Sequence, residues 1–293
     1  MVVALALGAG LCYALASVLQ HHVAAQQPPE LSLRPGLLLQ LVKRPLWLLG
    51  IVFDVGAYLL EAAALSVGSI VVVQPLLVSG LLFALPLSAI GRVGKPGRRE
   101  WVAAVALTLG IAAFVTIGSP HGGSSQAPIW QWAIVFGVCG AIAGVAIVLS
   151  RGAPAHVRAL SLAFATGATY AVTAALTKTV VDVLGDHGVS GVIGAWETYA
   201  LAIVSVAGLL LNQSAFQAGH LAASLPALAV TNPVLSSIIG VTLFGEVLGA
   251  TGPLAITVTA IAVVVMIAGT ISLSRSPLVT GEDAHPAITP AAP

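Results

Sequence analysis

Charge is scarce in this chain. Only 7% of its 293 residues are Asp, Glu, Lys or Arg, and the net charge is +1. A soluble protein of this size needs a charged surface, so a soluble fold is excluded. The near-neutral balance carries no basic footprint, so no nucleic-acid partner is expected. Cysteine is nearly missing too. Cys12 and Cys139 are the only two; both sit inside apolar segments, outside any CxxC or Cys/His cluster, and read as small buried hydrophobes. The chain has no phosphate loop, no nucleophile elbow and no HExxH, so neither an enzyme nor a cofactor is expected.

What the chain has in excess is hydrophobicity: 58% of its residues are hydrophobic and its mean hydropathy is +1.04. The apolar runs reach about 20 residues, the length of a membrane-spanning helix, where barrel strands would be about 10 and alternating. The expected class is therefore an all-α integral membrane protein, with the lipid bilayer as its solvent. Nine spans are read, at about 2–24, 45–65, 69–91, 100–118, 129–150, 157–182, 191–212, 221–245 and 252–274. The first run lacks a basic n-region and is long for a signal peptide, so it reads as a span. Residues 25–44 hold Pro28, Pro29 and Pro35 and read as a loop with an interfacial turn. SPHGGSSQAP (119–128) reads as a flexible loop, and the Pro-rich tail as disordered.

The basic residues fix an orientation. Arg34, Lys43 and Arg44 follow span one; Arg92, Lys95, Arg98 and Arg99 follow span three; Arg151 and Arg158 follow span five; Arg275 follows span nine. The intervening turns after spans two, four and eight hold none, which by the positive-inside rule puts the N-terminus outside and the C-terminus inside a bacterial plasma membrane. Lys178 is the exception, near the outer end of span six. Trp47, Trp101, Trp130, Trp132 and Trp196 lie near span ends and read as interface anchors.

The chain also repeats itself. LALGAGLCYALASVLQHHV (5–23) aligns with LAFATGATYAVTAALTKTV (162–180), pairing Gly10 with Gly167 and Tyr13 with Tyr170. LLEAAALSVGSIVVVQP (59–75) aligns with LLNQSAFQAGHLAASLP (210–226), pairing Gly68 with Gly219 and Pro75 with Pro226. The offsets are 157 and 151 residues, as one duplication with a small indel gives. Four spans return the chain to its starting side and the fifth crosses once more, so the second copy enters upside down. That inverted-repeat architecture is one of secondary transporters. The division is 1–118, spans one to four; 119–156, the loop and linking span five; 157–274, the inverted second repeat; and 275–293, a cytoplasmic tail.

Such folds bind near the midplane, at irregular helices. Gln74-Pro75 and Leu225-Pro226 open spans three and eight, while Pro86 reads as a tolerated kink. Thr231-Asn232-Pro233 reads as a break with two polar side chains lining the site. Asp54 and Glu61 lie in WLLGIVFDVGAYLLEAAALSVG (47–68), and Gly50, Asp54, Ala57 and Glu61 share one helical face. An acid at a helix centre costs about 2.5–3.5 kcal/mol on insertion scales, so this stripe faces protein or a watery cavity. Asp54 sits roughly 12 Å in from the cytoplasmic end, and Glu61 lies nearer the outside. The two acids carry protons, or they hold a cation, organic or divalent. A third reading keeps them as structural hydrogen-bond acceptors.

Polar partners stand on other helices. Tyr13, Ser17 and Gln20 stripe span one, and Thr166, Thr169, Thr173 and Thr177 stripe span six, although threonine stripes more often serve packing. With Gln74, Tyr170, Asn212, Thr231 and Asn232 these complete the candidate substrate or ion residues. Lys178 and Glu246 are a candidate outer ion pair or gate, with a snorkelling lysine as the plain alternative. His21 and His22 read as interfacial.

GAGLCYALASVLQ (8–20), the duplication and LFGEV (243–247) resemble the drug/metabolite transporter superfamily of the EamA-like kind, in which a Gly-Glu like Gly245-Glu246 ends the equivalent helix. KRPLWLLGIVFDVGAYLLEAAAL (43–65) resembles the NIPA-type magnesium transporters, which have nine spans. The first copy departs from the pattern with Gly91-Arg92 where an acid would stand. The resemblance implies alternating-access transport of a small metabolite or drug-like solute by a monomer or homodimer. Its alternatives are magnesium or another divalent cation, ligated by Asp54 and Glu61, or a lipid flippase or scaffold that moves no soluble solute.

Overall fold

A computed structural model describes residues 1–83, 97–118, 120–123, 127–218 and 221–275. Pro86, Gly91-Arg92, Lys95, Gly219, the far end of the third span and the tail beyond Arg275 lie outside the described residues.

The described chain is helical, as it must be: in hydrocarbon no water bonds a free backbone N–H or C=O, and a helix satisfies both internally. Its α-helices are α1 Val2–Ala24, α2 Pro35–Leu41, α3 Pro45–Leu65, α4 Ile70–Leu77, α5 Arg98–Ala113, α6 Ile129–Ser150, α7 Ala155–Gly194, α8 Trp196–Gln217, α9 Leu221–Leu243 and α10 Pro253–Ser274. Eight segments are long and apolar enough to cross a membrane, and a shorter apolar stretch, Ile70–Phe83, adds the described part of the third expected span. The protein is thus a multi-pass membrane protein. Prolines open α2, α3 and α10, where the missing N–H has no partner to lose. Ser69 caps α4, its Oγ accepting from Val72 N at 3.3 Å.

Several boundaries differ from expectation. The seventh span begins at Trp196, not 191, and runs to Gln217. The helix before it extends to Gly194, broken at Gly188 with φ 65°, a conformation glycine adopts without Cβ strain. Pro75 does not open its span, whereas the membrane-length apolar stretch of α9 begins at Pro226. α4 starts five residues before Pro75, and α9 runs unbroken through both Pro226 and Pro233. The interruption falls instead in the third span, where turn residues Val78 and Ser79 follow α4 before helix resumes at Gly80.

α1 packs on α3; α7 packs on α6, α8 and α9; α5 packs on α10. Val52, Leu59, Ile203 and Val264 lie exposed on the outer faces, as lipid-facing residues do. Inside, Leu107, Trp132, Leu176, Ile239 and Leu273 join one apolar core. Two tryptophans read as interface anchors are not. Trp132 is buried, edge-on to Trp196 at 5.7 Å, and Trp47 is buried against α8. Trp101 and Trp130 are exposed, as anchors are. His21 also packs inward, edge-on to Phe216 at 5.7 Å. Residues 25–44 dock on α8: Leu33 N donates to Ser214 Oγ at 3.0 Å, and Gln217 Nε2 donates to Pro28 O.

Candidate functional site

The acidic stripe of α3 turns inward. Gly50, Ala57 and Glu61 are buried and Asp54 is half-buried, while Val52 and Leu59 on the other face meet lipid. Gly50 lets α1 approach, since a Cβ there would meet Gln20 Cγ at 2.8 Å. A chain of side chains then crosses the protein. Tyr13 Oη donates to Glu61 Oε2 at 2.6 Å and Gln74 Nε2 donates to Glu61 Oε1 at 2.7 Å. Asn232 Nδ2 donates to Gln74 Oε1 at 3.1 Å, and Ser236 Oγ donates to Asn232 Oδ1 at 3.1 Å. The sequence is α1–α3–α4–α9. Its middle links are amides because an amide both donates and accepts.

A second chain holds the other acid. Gln20 Nε2 donates to Asp54 Oδ2 at 2.5 Å, Gln213 Nε2 donates to Gln20 Oε1, and Trp47 Nε1 donates to Gln213 Oε1 at 3.1 Å. A third contact, Tyr58 Oη with Thr177 Oγ1 at 2.9 Å, ties α3 to α7.

Between these chains lies a cavity of about 450 Å³. Of the candidate residues, Tyr13, Ser17, Asp54, Glu61, Gln74, Tyr170, Thr173, Asn212 and Asn232 line it. Gln20 and Thr177 stand one hydrogen bond behind its wall. Thr231 does not reach it and packs on α7 instead, where a Cβ on Gly167 would come 2.7 Å from Thr231 Cβ. The threonine stripe is mostly self-satisfied: Thr166, Thr169, Thr173 and Thr177 each donate to the carbonyl four residues back, the usual habit of a threonine inside a helix.

Sequence reasoning missed Tyr58, Ser205 and Gln213. Tyr58 was legible, standing four residues after Asp54 and three before Glu61 on the same stripe. Gln213 stood between Asn212 and Ser214, at the end of an apolar run. Ser205 carried no local signal.

A protein of Corynebacterium glutamicum, uncharacterized protein Cgl0250/cg0304, is 34% identical over 276 residues, covering 94% of this chain and 95% of the relative. The chain belongs to that protein's family. No family model and no solved structure matches the chain.

The family's shared length takes in nearly the whole chain, so it extends to the second polar cluster, beyond the cavity. Glu246 is buried. Its Oε1 accepts from Ile70 N at 2.8 Å and its Oε2 from Val71 N at 2.9 Å. A carboxylate on the first free N–H groups of α4 is favoured by both hydrogen bonding and the helix dipole. Lys178 Nζ lies 3.8 Å from Glu246 Oε1 and donates to Gly68 O at 3.2 Å. The candidate ion pair is therefore formed, and the lysine does not snorkel. Gly245 turns the chain into this position with φ 67°, and Glu246 pairs with Gly122 across a short antiparallel ladder. Among the described residues no group of three or more His, Cys, Asp or Glu stands together as a metal site.

Proposed function

We propose that the protein is a secondary transporter of the drug/metabolite transporter kind, moving a small solute across the plasma membrane by alternating access. The observation that carries this reading is the cavity: two carboxylates of α3 face a space walled by α1, α3, α4, α7, α8 and α9. Acids inside a membrane mark substrate or proton paths, and inverted-repeat transporters bind where their halves meet.

The lining supports an internal duplication. At the offsets read from the sequence, 157 for the first helix of each copy and 151 for the next two, cavity residues pair with cavity residues. Tyr13 meets Tyr170, Asp54 meets Ser205, Tyr58 meets Leu209, Glu61 meets Asn212 and Leu77 meets Leu228. Packing follows the same rule. A Cβ on Gly80 would stand 2.5 Å from Gly10 O, and the corresponding pair, Gly167 and Thr231, is equally close. In the proposed topology the N-terminus is outside and the second copy is inverted. Val78, where the third span tightens to i−3 hydrogen bonds, sits in the cavity wall, and irregular helices near the midplane line the sites of such transporters. Lys178 and Glu246 close the outer end, joining the start of α4 to α7.

The test is flux. Purified protein in liposomes loaded with a pH-sensitive dye is challenged with amino acids, amines, nucleosides, sugars and Mg²⁺. A solute-dependent flux that Asp54→Asn abolishes is expected. Flux of Mg²⁺ alone would replace the metabolite reading with a divalent-cation one, and no flux with any solute would leave a scaffold or flippase.

A further inference from the structure

The duplicated lining is unequal in charge. Asp54 and Glu61 in the first half correspond, at the offset of 151, to Ser205 and Asn212 in the second, and no Lys, Arg or His is among the described residues that line the cavity. Lys178, a buried lysine of α7, is held by Glu246 and Gly68 O. Both acids accept hydrogen bonds, but only from neutral groups: Gln20 on Asp54, Tyr13 and Gln74 on Glu61. A buried negative charge of that kind calls for a positive partner, and none stands among the described residues of the lining.

Three further features describe that partner. Tyr13, Tyr58 and Tyr170 all stand in the wall, and phenol rings attract ammonium groups through their electron-rich faces. Asn212, only 8% exposed, lines the cavity with its side chain beside the Tyr170 hydroxyl, and its Oδ1 has no hydrogen-bond partner among the described residues. A buried acceptor left unpaired is costly, and an incoming N–H satisfies it. Apolar side chains fill much of the remaining wall, with Ile51, Leu77, Leu81, Leu209 and Leu228 among the scattered polar groups Ser17, Gln74, Thr173, Ser205 and Asn232. A bare inorganic cation wants six or more oxygens held close around it, and among the described residues no third His, Cys, Asp or Glu joins the two α3 acids in a metal-binding group. The volume of about 450 Å³ falls in the range of small-molecule sites, roughly 300–1,000 Å³.

We propose that the cavity binds an organic ammonium ion, its nitrogen between the α3 carboxylates and the three tyrosines, its apolar substituents against the leucines. The proposal names a substrate class for the transporter reading and rests on it only for the movement of that ligand, since binding is measured without flux.

The experiment is calorimetric titration of the detergent-purified full chain at pH 7 with 2-phenylethylammonium and, separately, with 2-phenylethanol, its near-isosteric neutral counterpart. Saturable binding of the ammonium, at least about tenfold tighter than the alcohol, is expected. Asp54→Asn, which keeps an oxygen for Gln20, should bring the ammonium down to the alcohol's level. Tyr58→Phe should keep most of the affinity and Tyr58→Leu should lose several-fold, because the ring and not the hydroxyl is what the cation meets. Equal binding of the two ligands, or no ammonium binding by protein that still unfolds cooperatively, overturns the proposal. So does undiminished binding in Asp54→Asn/Glu61→Gln. Solute-driven flux without ammonium binding would sink the ammonium inference and leave the transporter. Ammonium binding without any flux would do the reverse.

Discussion

Tyr13 and Glu61, 48 residues apart in the chain, meet in a 2.6 Å hydrogen bond that fastens α1 to α3 at the cavity wall. Glu61 keeps a second donor, Gln74. Tyr13→Phe should therefore loosen the wall without collapsing it. The expected cost is about 0.5–2 kcal/mol, read from thermal unfolding in detergent. A cost above about 4 kcal/mol would mean that Tyr13 holds more than this one bond.

Asp54→Asn preserves the hydrogen bond from Gln20 and removes only the charge. Its unfolding midpoint should stay within a few degrees of wild type, while solute-driven flux in liposomes falls at least about tenfold, as loss of an intramembrane coupling acid implies. Wild-type flux in this variant would remove Asp54 from the mechanism.

Glu246 accepts two backbone N–H groups and lies beside Lys178. Glu246→Ala strands both N–H groups and leaves the lysine unpaired, so a loss of about 2–4 kcal/mol is expected. Glu246→Gln, with one acceptor oxygen, should lose less. A double-mutant cycle with Lys178→Met should give a coupling of about 0.5–3 kcal/mol. Additive effects would show that the 3.8 Å approach carries no interaction.

Gly10 and Gly80 let α1 and the broken third span touch, and a Cβ on either would come within 3 Å of a backbone oxygen. Gly56 on α3 has nothing within 4 Å of its Cβ position. Gly80→Ala should destabilise, whereas Gly56→Ala should be neutral or stabilising by up to about 1 kcal/mol, the helix-propensity gain. Thermal melts of the pair decide it: equal effects would refute the close approach.

The amino-acid sequence by itself determined the class, the spans and much of the cavity. Composition forces a membrane, and a membrane forces helices, because hydrocarbon tolerates no unpaired backbone group. Two acids four helical positions apart from small residues had to face inward, since lipid rejects them, and that is where Asp54 and Glu61 lie. Periodicity, however, only says which face is polar. That Asp54 takes Gln20 while Glu61 takes Tyr13 and Gln74 depends on the rotation and depth of α1 against α3, which no local pattern encodes. Thr231 looked as eligible as Asn232, yet one residue turns a helical side chain by about 100°, and tertiary packing put Thr231 on Gly167 and Asn232 in the cavity. The break followed the same logic. Prolines at 226 and 233 announced an irregular helix, but α9 absorbed them, and the helix tightened instead at Val78–Ser79, beside the point where Gly10 and Gly80 bring two backbones too close for side chains.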